Sequence, residues 1–189
     1  MKTHRIGHRI QVSQHAQRWI ATVGSDIPSW QRRALEGWFG AWLALGAMFG
    51  YGAYSSAGSE RSFYLICLGF WAFFAVRAFR AVRWRRSGVE VVQLSPEGLE
   101  VRMDHGQRPG KPTAIPLAQV TRAEVAAPNP RSFLESMDQQ FWVVGGDRLS
   151  VGKGRRPVVF GKQLSHSEAA QLAESFNAAL KKLQRNAQN

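Results

Sequence analysis

Two long apolar runs stand out along the first half of the chain. Residues 38–54 carry no charged side chain, and residues 63–76 form a second such run, which continues through Arg77 and Arg80 to Val82. At about 1.5 Å of rise per residue, helices of this length approach the roughly 30 Å of a hydrocarbon core, provided that the two arginines extend their charged ends to the interface. The pattern predicts membrane spans over about 37–55 and 63–82. The alternative, a buried helical hairpin of a soluble protein, is disfavoured because the rest of the chain is too small to bury so many aromatic residues.

The pattern changes to short alternating segments from Gly88 onwards. Residues 89–94 and 99–103 flank the turn Ser95-Pro96-Glu97-Gly98 and predict a hairpin. Further short strands are predicted near 114–115, 121–126, 140–144, 148–151 and 157–160. Ser165 and Glu168 have the spacing of a capping box, and the apolar positions that follow have helical spacing. These positions are Ala169, Leu172, Ala173, Phe176, Leu180 and Leu183.

These elements predict an α+β membrane protein: a two-helix transmembrane hairpin followed by a small antiparallel β domain, closed by a C-terminal amphipathic helix. Three parts are expected. Residues 1–35 form a basic N-terminal segment, residues 36–86 the transmembrane helical hairpin, and residues 87–189 the β domain. For the N-terminal segment the loose pattern of isoleucine, valine and arginine leaves two alternatives, an amphipathic helix on the membrane surface or a disordered basic arm.

The charge distribution predicts the topology of the hairpin. The chain carries a formal charge of +12, with twelve basic and three acidic side chains up to Arg86, and thirteen basic and ten acidic ones after it. The connector 55–62 is neutral, whereas both flanks are rich in Lys and Arg. Because such flanks resist translocation, both termini are expected in the cytoplasm of a bacterial cell, with the hairpin in the inner membrane.

Small residues in the first span form a candidate surface for helix packing. Gly46 and Gly50 have G-x-x-x-G spacing, and Gly40 and Ala44 repeat that spacing nearer the start of the span. Small residues allow helices to approach closely. The surface either binds a helix of another membrane protein or packs against the second span, and the motif itself does not decide between the two.

Two basic clusters are candidate sites for anionic lipid or an acidic partner. The first follows the second span and comprises Arg77, Arg80, Arg83, Arg85 and Arg86. The second lies in a predicted turn of the β domain and comprises Lys153, Arg155 and Arg156. A purely topological role for the first cluster is the alternative.

Catalytic chemistry is not indicated by the sequence. Asp104-His105 and His166 have no recognisable orienting partners, and His4 and His8 have no third metal ligand. Cys67 is the single cysteine, and the Gly146–Gly154 stretch fails the spacing of a P-loop. We therefore expect no enzyme activity, no metal and no cofactor.

A family resemblance agrees with this organisation. Two apolar spans are followed by Glu90-Val91-Val92, by Leu99-Glu100-Val101, and by residues 158–164, which lead into the helix with the Ser165–Glu168 capping box. Over roughly residues 36–184 the chain resembles an uncharacterised bacterial family of two-span membrane proteins with a cytoplasmic pleckstrin-homology-like domain. That resemblance implies a fold and a location, but no activity and no site residues.

The functional prediction is a non-enzymatic, membrane-anchored interaction module, an accessory or assembly subunit of a larger inner-membrane complex. Its partners would be other integral membrane proteins and anionic headgroups, and the loop 128–138 would offer a contact surface. One alternative is a lipid-binding or membrane-sensing module that uses the basic patches. A second is a nucleic-acid-tethering membrane protein, which is disfavoured because little of the positive charge follows residue 86.

Overall fold

The chain divides into two compact units that differ in secondary structure. A computed structural model describes residues 2–15, 17–25, 27–125, 146–152 and 157–186. Ile27–Arg86 forms one unit, which contains two long helices and which we call the helical pair. The second unit joins the residues up to 25 with those from Ser87 onwards, and we call it the β domain.

The larger sheet of the β domain is a six-stranded antiparallel meander. Its strands follow the order β1-β2-β3-β4-β5-β6, so that each pairs with its neighbour in the chain. They are β1 Lys2–Ile6, β2 Ile10–Gln14, β3 Trp19–Gly24, β4 Gly88–Ser95, β5 Gly98–His105 and β6 Thr113–Pro116. Buried and less buried positions alternate along β3 and β4, as expected for strands that cover a core with one face.

The helical pair is inserted between two paired strands of this sheet. Gly24 at the end of β3 is the register partner of Val89 in β4, and the amide of Ser25 donates to the carbonyl of Gly88. The chain therefore leaves the β domain and returns to it at adjacent points. Helix α2 ends at Ser87 and β4 begins at Gly88, so no linker separates them.

The prediction for residues 1–35 is wrong over most of that segment. Residues 2–24 form neither a surface helix nor a disordered arm, but the three strands β1 to β3. The physical reason is the period of two in Trp19, Ala21 and Val23, which are all buried in the core. The predicted boundary of the β domain at residue 87 is wrong for the same reason, since the domain also contains these strands.

A second sheet and a helix complete the β domain. Strands β7 Glu124–Val125, β8 Asp147–Val151 and β9 Val158–Lys162 form an antiparallel sheet, and helix α3 spans His166–Asn186. Phe176 of α3 contacts Trp19 of the first sheet edge-to-face at 5.4 Å between ring centroids, and Phe160 of the second sheet at 5.8 Å. The helix thus packs its apolar face against both sheets.

Most predicted elements that follow the helical pair are confirmed. Strands occupy 88–95, 98–105, 113–116, 147–151 and 158–162, and the predicted segment 121–126 contains the two-residue strand β7. The capping box is present, because the Glu168 amide donates to Ser165 Oγ and the Ser165 amide to Glu168 Oε2. The predicted strand 140–144 and the loop 128–138 lie outside the described residues.

The helical pair consists of α1 Ser29–Ser55 and α2 Gly58–Ser87. Only Ser56 and Ala57 separate the two helices, and Gly58 follows with a φ of 59°, a left-handed conformation that suits glycine. Both helices extend beyond the predicted spans, α1 by about two turns at its start. The polar residues that precede the first apolar run and flank the second one therefore belong to the helices.

Candidate functional site

The helical pair has one inward face, which the spacing of residues in α1 defines. Besides the buried Gly52, buried and half-buried positions recur along α1 alternately after four and three residues, so they form one stripe along the helix. They are Leu35, Phe39, Trp42, Gly46, Phe49 and Ala53. On α2 the less exposed positions Trp71, Ala75 and Ala78 have the same spacing, and the ring of Trp71 lies against Gly46 of this stripe.

Two tryptophans join the helices near the middle of the pair. The indole N–H of Trp71 donates to the backbone carbonyl of Trp42 at 2.7 Å, and that of Trp42 to the carbonyl of Trp71 at 3.4 Å. Each indole thus places its single donor on the backbone of the opposite helix. In hydrocarbon a polar group without such a partner costs several kcal/mol, so this reciprocal pair suits an apolar environment.

Glycines on α1 make room for aromatic rings of α2. A Cβ atom at Gly46 would overlap the ring of Trp71, and one at Gly52 would lie 2.7 Å from the ring of Tyr64. By contrast, a Cβ at Gly40 or Gly50 would meet no described atom within 4 Å. The close approach of the two helices therefore depends on Gly46 and Gly52.

The four predicted packing residues therefore do not share one role. Gly46 packs against α2 of the same chain, which is one of the two alternatives left open by the sequence. Gly40 and Ala44 are exposed on the outer face of α1, and Gly50 is half-buried. Gly52, which the sequence reasoning missed, makes room for an aromatic ring of α2 as Gly46 does, and its spacing of six residues from Gly46 carries no helix-packing signal.

Large apolar side chains cover the outside of both helices. Among the exposed ones, Tyr54 is 89 % accessible and Phe70 69 %. The others in the pair are Trp30, Trp38, Leu43, Met48, Tyr51, Phe63, Leu65, Ile66, Phe73, Phe74, Val76 and Phe79. Soluble monomers rarely expose contiguous apolar surface on this scale.

Helix α2 alone is long and apolar enough by composition to cross a membrane, among the helices that the structure describes. Only 17 % of its most apolar window is buried inside the molecule, unlike the core helix of a soluble protein. Helix α1 is long enough, but its mean hydropathy is too low to meet the same criterion. Its glycines, tryptophans and tyrosines contribute little on a hydropathy scale, although they are common in membrane helices and at their interfaces.

The arginines of the first predicted basic cluster differ in exposure and in their contacts. Arg80 and Arg83 are exposed, whereas Arg85 is buried. The guanidinium of Arg77 lies 5.8 Å from the ring centroid of Phe73, and Arg86 forms an ion pair of 2.8 Å with Glu36 of α1. Arg80 and Arg83 are thus the members of this cluster with the clearest access to an anion. The second cluster, Lys153, Arg155 and Arg156, lies outside the described residues.

The β domain contains a buried carboxylate that links its two sheets. Glu90 of β4 is 2 % accessible and accepts hydrogen bonds from the amides of Gly161 and Lys162, at 2.8 and 3.1 Å. Arg9 donates to the carbonyls of Gly24, Lys162 and Gln163. These contacts satisfy backbone groups at the corner where β9 ends, so we assign both side chains a structural role.

An open groove of about 650 Å³ lies on the β domain between α3 and residues 120–122. Asn177 of α3 lines this groove and holds the opposite segment in place through Ala123. Its side-chain amide accepts from the Ala123 amide at 2.8 Å and donates to the Ala123 carbonyl at 3.2 Å. Val120 and Leu180 line the groove together with both acidic and basic side chains. Its mixed lining identifies no single class of ligand.

Glu168 has an electrostatic role at the start of α3. Burial raises the pKa of this carboxyl, but the amide and hydroxyl of Ser165 and the nearby charges of Arg9 and His8 lower it, so that the pKa lies below its ordinary value. The charged form is therefore favoured in the folded state. The stabilisation is complete above the unfolded pKa of about 4.3 and is lost as the pH falls through the lower pKa of the folded state.

We therefore expect Glu168→Gln to destabilise the chain at pH 7 by a few tenths to about 1 kcal/mol, the usual effect of a carboxylate at a helix N-terminus. The difference from the wild type should shrink as the pH falls below about 4. Chemical denaturation at pH 7 and pH 3.5 measures it. Glu174→Gln, an exposed position on the same helix, serves as the control; equal effects of the two substitutions would contradict this assignment.

Comparison with protein families and with curated proteins provides no relative for this chain. No protein-family model matches it, and no curated protein is significantly similar to it. The resemblance to the two-span family with a pleckstrin-homology-like domain thus stays a prediction.

Proposed function

We propose that this chain is a multi-pass protein of the bacterial inner membrane, with both termini in the cytoplasm. The helical pair would be the anchor, and the β domain would lie on the cytoplasmic side. The observation that carries this proposal is the insertion of the pair between β3 and β4.

Strand pairing constrains how often the chain crosses. Gly24 and Val89 are register partners in one sheet, so the two ends of the helical pair lie on the same side of any bilayer. A chain with this constraint must cross an even number of times. Because α2 has the length and composition of a span, α1 would supply the return crossing in spite of its lower hydropathy.

Charge supports the cytoplasmic orientation of the β domain. The ion pair between Glu36 and Arg86 places the start of α1 beside the end of α2. Six of the eight arginines in 27–86 lie within about two turns of that end, and Arg61 near the opposite turn is accompanied by Glu60. This asymmetry is the one that retains a segment on the cytoplasmic side.

Single-cysteine labelling in intact cells measures this topology. With Cys67 replaced by alanine, a cysteine at Ser59 in α2, near the connecting turn, should react with a membrane-impermeant maleimide added outside. A cysteine at the exposed Ser167 of α3 should react only after lysis. Because the outer membrane passes small reagents slowly, a known periplasmic cysteine sets the reference rate. Labelling of both positions from outside, or of neither, would refute the topology.

We further propose a non-enzymatic role as an accessory or assembly subunit of a larger membrane complex. The support comes from one exposed strip of α1, on which the small residues Gly40 and Ala44 lie one turn apart. The rest of the outer surface of both helices carries large side chains, such as Tyr51 on α1 and Phe70 on α2. Large side chains suit contact with lipid, and small ones suit the close approach of another helix, here a transmembrane helix of a partner subunit.

Photo-crosslinking in native membranes tests the partner. A photoreactive phenylalanine derivative at Ala44 should give one discrete protein adduct, and the same residue at Phe70 should give none because it faces lipid. Adding Gly40→Leu should reduce the Ala44 adduct at least tenfold, since the leucine would fill the contact. An Ala44 adduct that is absent, or that persists unchanged with Gly40→Leu, would exclude this face as the docking surface.

The fold increases the net positive charge assigned to the β domain, which bears on the nucleic-acid alternative. The two parts of the sequence that flank the helical pair, residues 1–26 and 87–189, together carry seventeen basic and eleven acidic side chains. That excess of six is larger than the excess of three found after residue 86 alone. No described surface collects it into a stripe with aromatic residues, so the interaction module is the better-supported proposal.

A further inference from the structure

We propose that four exposed arginines at one end of the helical pair bind the phosphate groups of anionic phospholipids. They are Arg32 and Arg33 on α1, and Arg80 and Arg83 on α2, and we call them the arginine surface. The inference rests on the proposed insertion of the pair into a membrane, and it adds a specific ligand to that anchor.

Helix geometry brings the four side chains to the same end of the pair. Glu36 and Arg86 are joined by a 2.8 Å ion pair. Arg32 and Arg33 precede Glu36 by about one turn, and Arg83 and Arg80 precede Arg86 by about one and two turns. All four side chains are exposed. Glu36 is the one acidic residue of the pair at this end, and it is paired with Arg86 and also interacts electrostatically with Arg32, so it does not balance all four arginines.

The position of Arg32 and Arg33 is unfavourable for the helix itself. Cations near a helix N-terminus oppose the macrodipole, and the first turn of α1 has no acidic residue to offset them. Their placement therefore costs helix stability. An anion bound beside them would offset that cost.

The surroundings favour a lipid as the source of that anion over an acidic protein segment. Exposed apolar side chains follow the arginines towards the middle of the pair, with Trp38 about one and a half turns after Arg33, and Phe79 and Val76 just before Arg80. A phospholipid has a matching arrangement, because its phosphate is followed by its acyl chains. An acidic peptide would leave these aromatic and aliphatic side chains uncovered.

The experiment uses the full chain reconstituted in nanodiscs, with phosphatidylglycerol as the anionic probe and phosphatidylcholine as the neutral lipid. Native mass spectrometry of the released protein measures the affinity for each lipid. The wild type should prefer phosphatidylglycerol at least tenfold. The double substitutions Arg32→Gln/Arg33→Gln and Arg80→Gln/Arg83→Gln should each reduce that preference on the order of tenfold, as expected for juxtamembrane arginines.

The matched control is Arg108→Gln/Lys111→Gln, which removes two charges from an exposed loop of the β domain and should leave the preference unchanged. Circular dichroism of each variant verifies that it is folded. An unchanged preference in both arginine doubles, or an equal loss in the control, would overturn the proposal. So would a surface that binds polyglutamate tightly but shows no preference between the two lipids, because the ligand would then be an acidic protein.

Failure of the anchor itself gives a different result. A chain that does not enter nanodiscs of phosphatidylcholine alone, where headgroup charge plays no part, would refute the proposed membrane insertion. A chain that enters these nanodiscs but lacks lipid preference would refute only the arginine surface.

Discussion

A fragment of residues 88–189 should fail to fold, whereas residues 1–24 joined to 89–189 through Asn-Gly should fold without the helical pair. The reason is that the first three strands supply a large part of the core. Ile10, Val12, Trp19, Ala21 and Val23 are at most 2 % accessible. Burial of such side chains contributes about 1.5 to 3 kcal/mol each for the larger ones, and the sum is comparable to the total stability of a domain.

The linking dipeptide follows from the register of the sheet. Gly24 and Val89 are partners in antiparallel strands, and a two-residue Asn-Gly turn is the commonest closure of such a pair. Circular dichroism and urea denaturation of the two purified polypeptides measure the outcome. The joined polypeptide with Trp19→Ala serves as a control, because it keeps the three N-terminal strands but loses the packing of Trp19 in the core. Cooperative unfolding of the 88–189 fragment alone would contradict the split domain.

Alanine substitutions at three glycines of α1 should affect the stability of the helical pair differently, according to whether the glycine faces α2. Gly46→Ala should destabilise the helical pair by about 1 to 3 kcal/mol, because its methyl group would overlap Trp71 and force the tryptophans apart. Gly40→Ala and Gly50→Ala should be neutral or stabilising by up to about 1 kcal/mol, since alanine favours a helix and no described atom lies within 4 Å of the added carbon.

Unfolding of the full chain in detergent measures these differences. Tryptophan fluorescence follows the unfolding, and Trp42 and Trp71, which donate to each other's backbone carbonyls, contribute to it together with the other five tryptophans. The isolated protein in detergent has no partner subunit, so Gly40→Ala tests only packing within the chain. If all three substitutions lowered stability equally, the distinction between the inward and outward glycines would be wrong.

The elements after residue 87 were predictable because their signals are local. The turn at Ser95–Gly98, the alternation in β5 and the capping box of α3 each depend on residues a few positions apart. The N-terminal strands carry the same period of two at Trp19, Ala21 and Val23. The arginines interleaved with these residues nevertheless led to two other predictions, a membrane-surface helix or a disordered arm, and sequence distance concealed that β3 pairs with β4 across the inserted helices.

The candidate site was predictable only in part. Small residues at Gly40, Ala44, Gly46 and Gly50 identify α1 as a packing helix, but their spacing does not say which of them face α2. Rotation about the helix axis decides this, and it is set by the fit between Gly46 and Trp71. Likewise, the arginine cluster after the second span is visible in the sequence, whereas the burial of Arg85 and the pairing of Arg86 with Glu36 are not.

The sequence by itself determined the two apolar helices, the β-rich character of the segment after residue 87 and the concentration of positive charge beside the helices. These properties follow from periodicity and composition, which need no knowledge of distant contacts. Only the tertiary structure decided that one β domain is built from both sides of the helical pair, and that the chain leaves and returns between paired strands. Strand pairing joins residues 24 and 89, and no local pattern carries a contact of that separation.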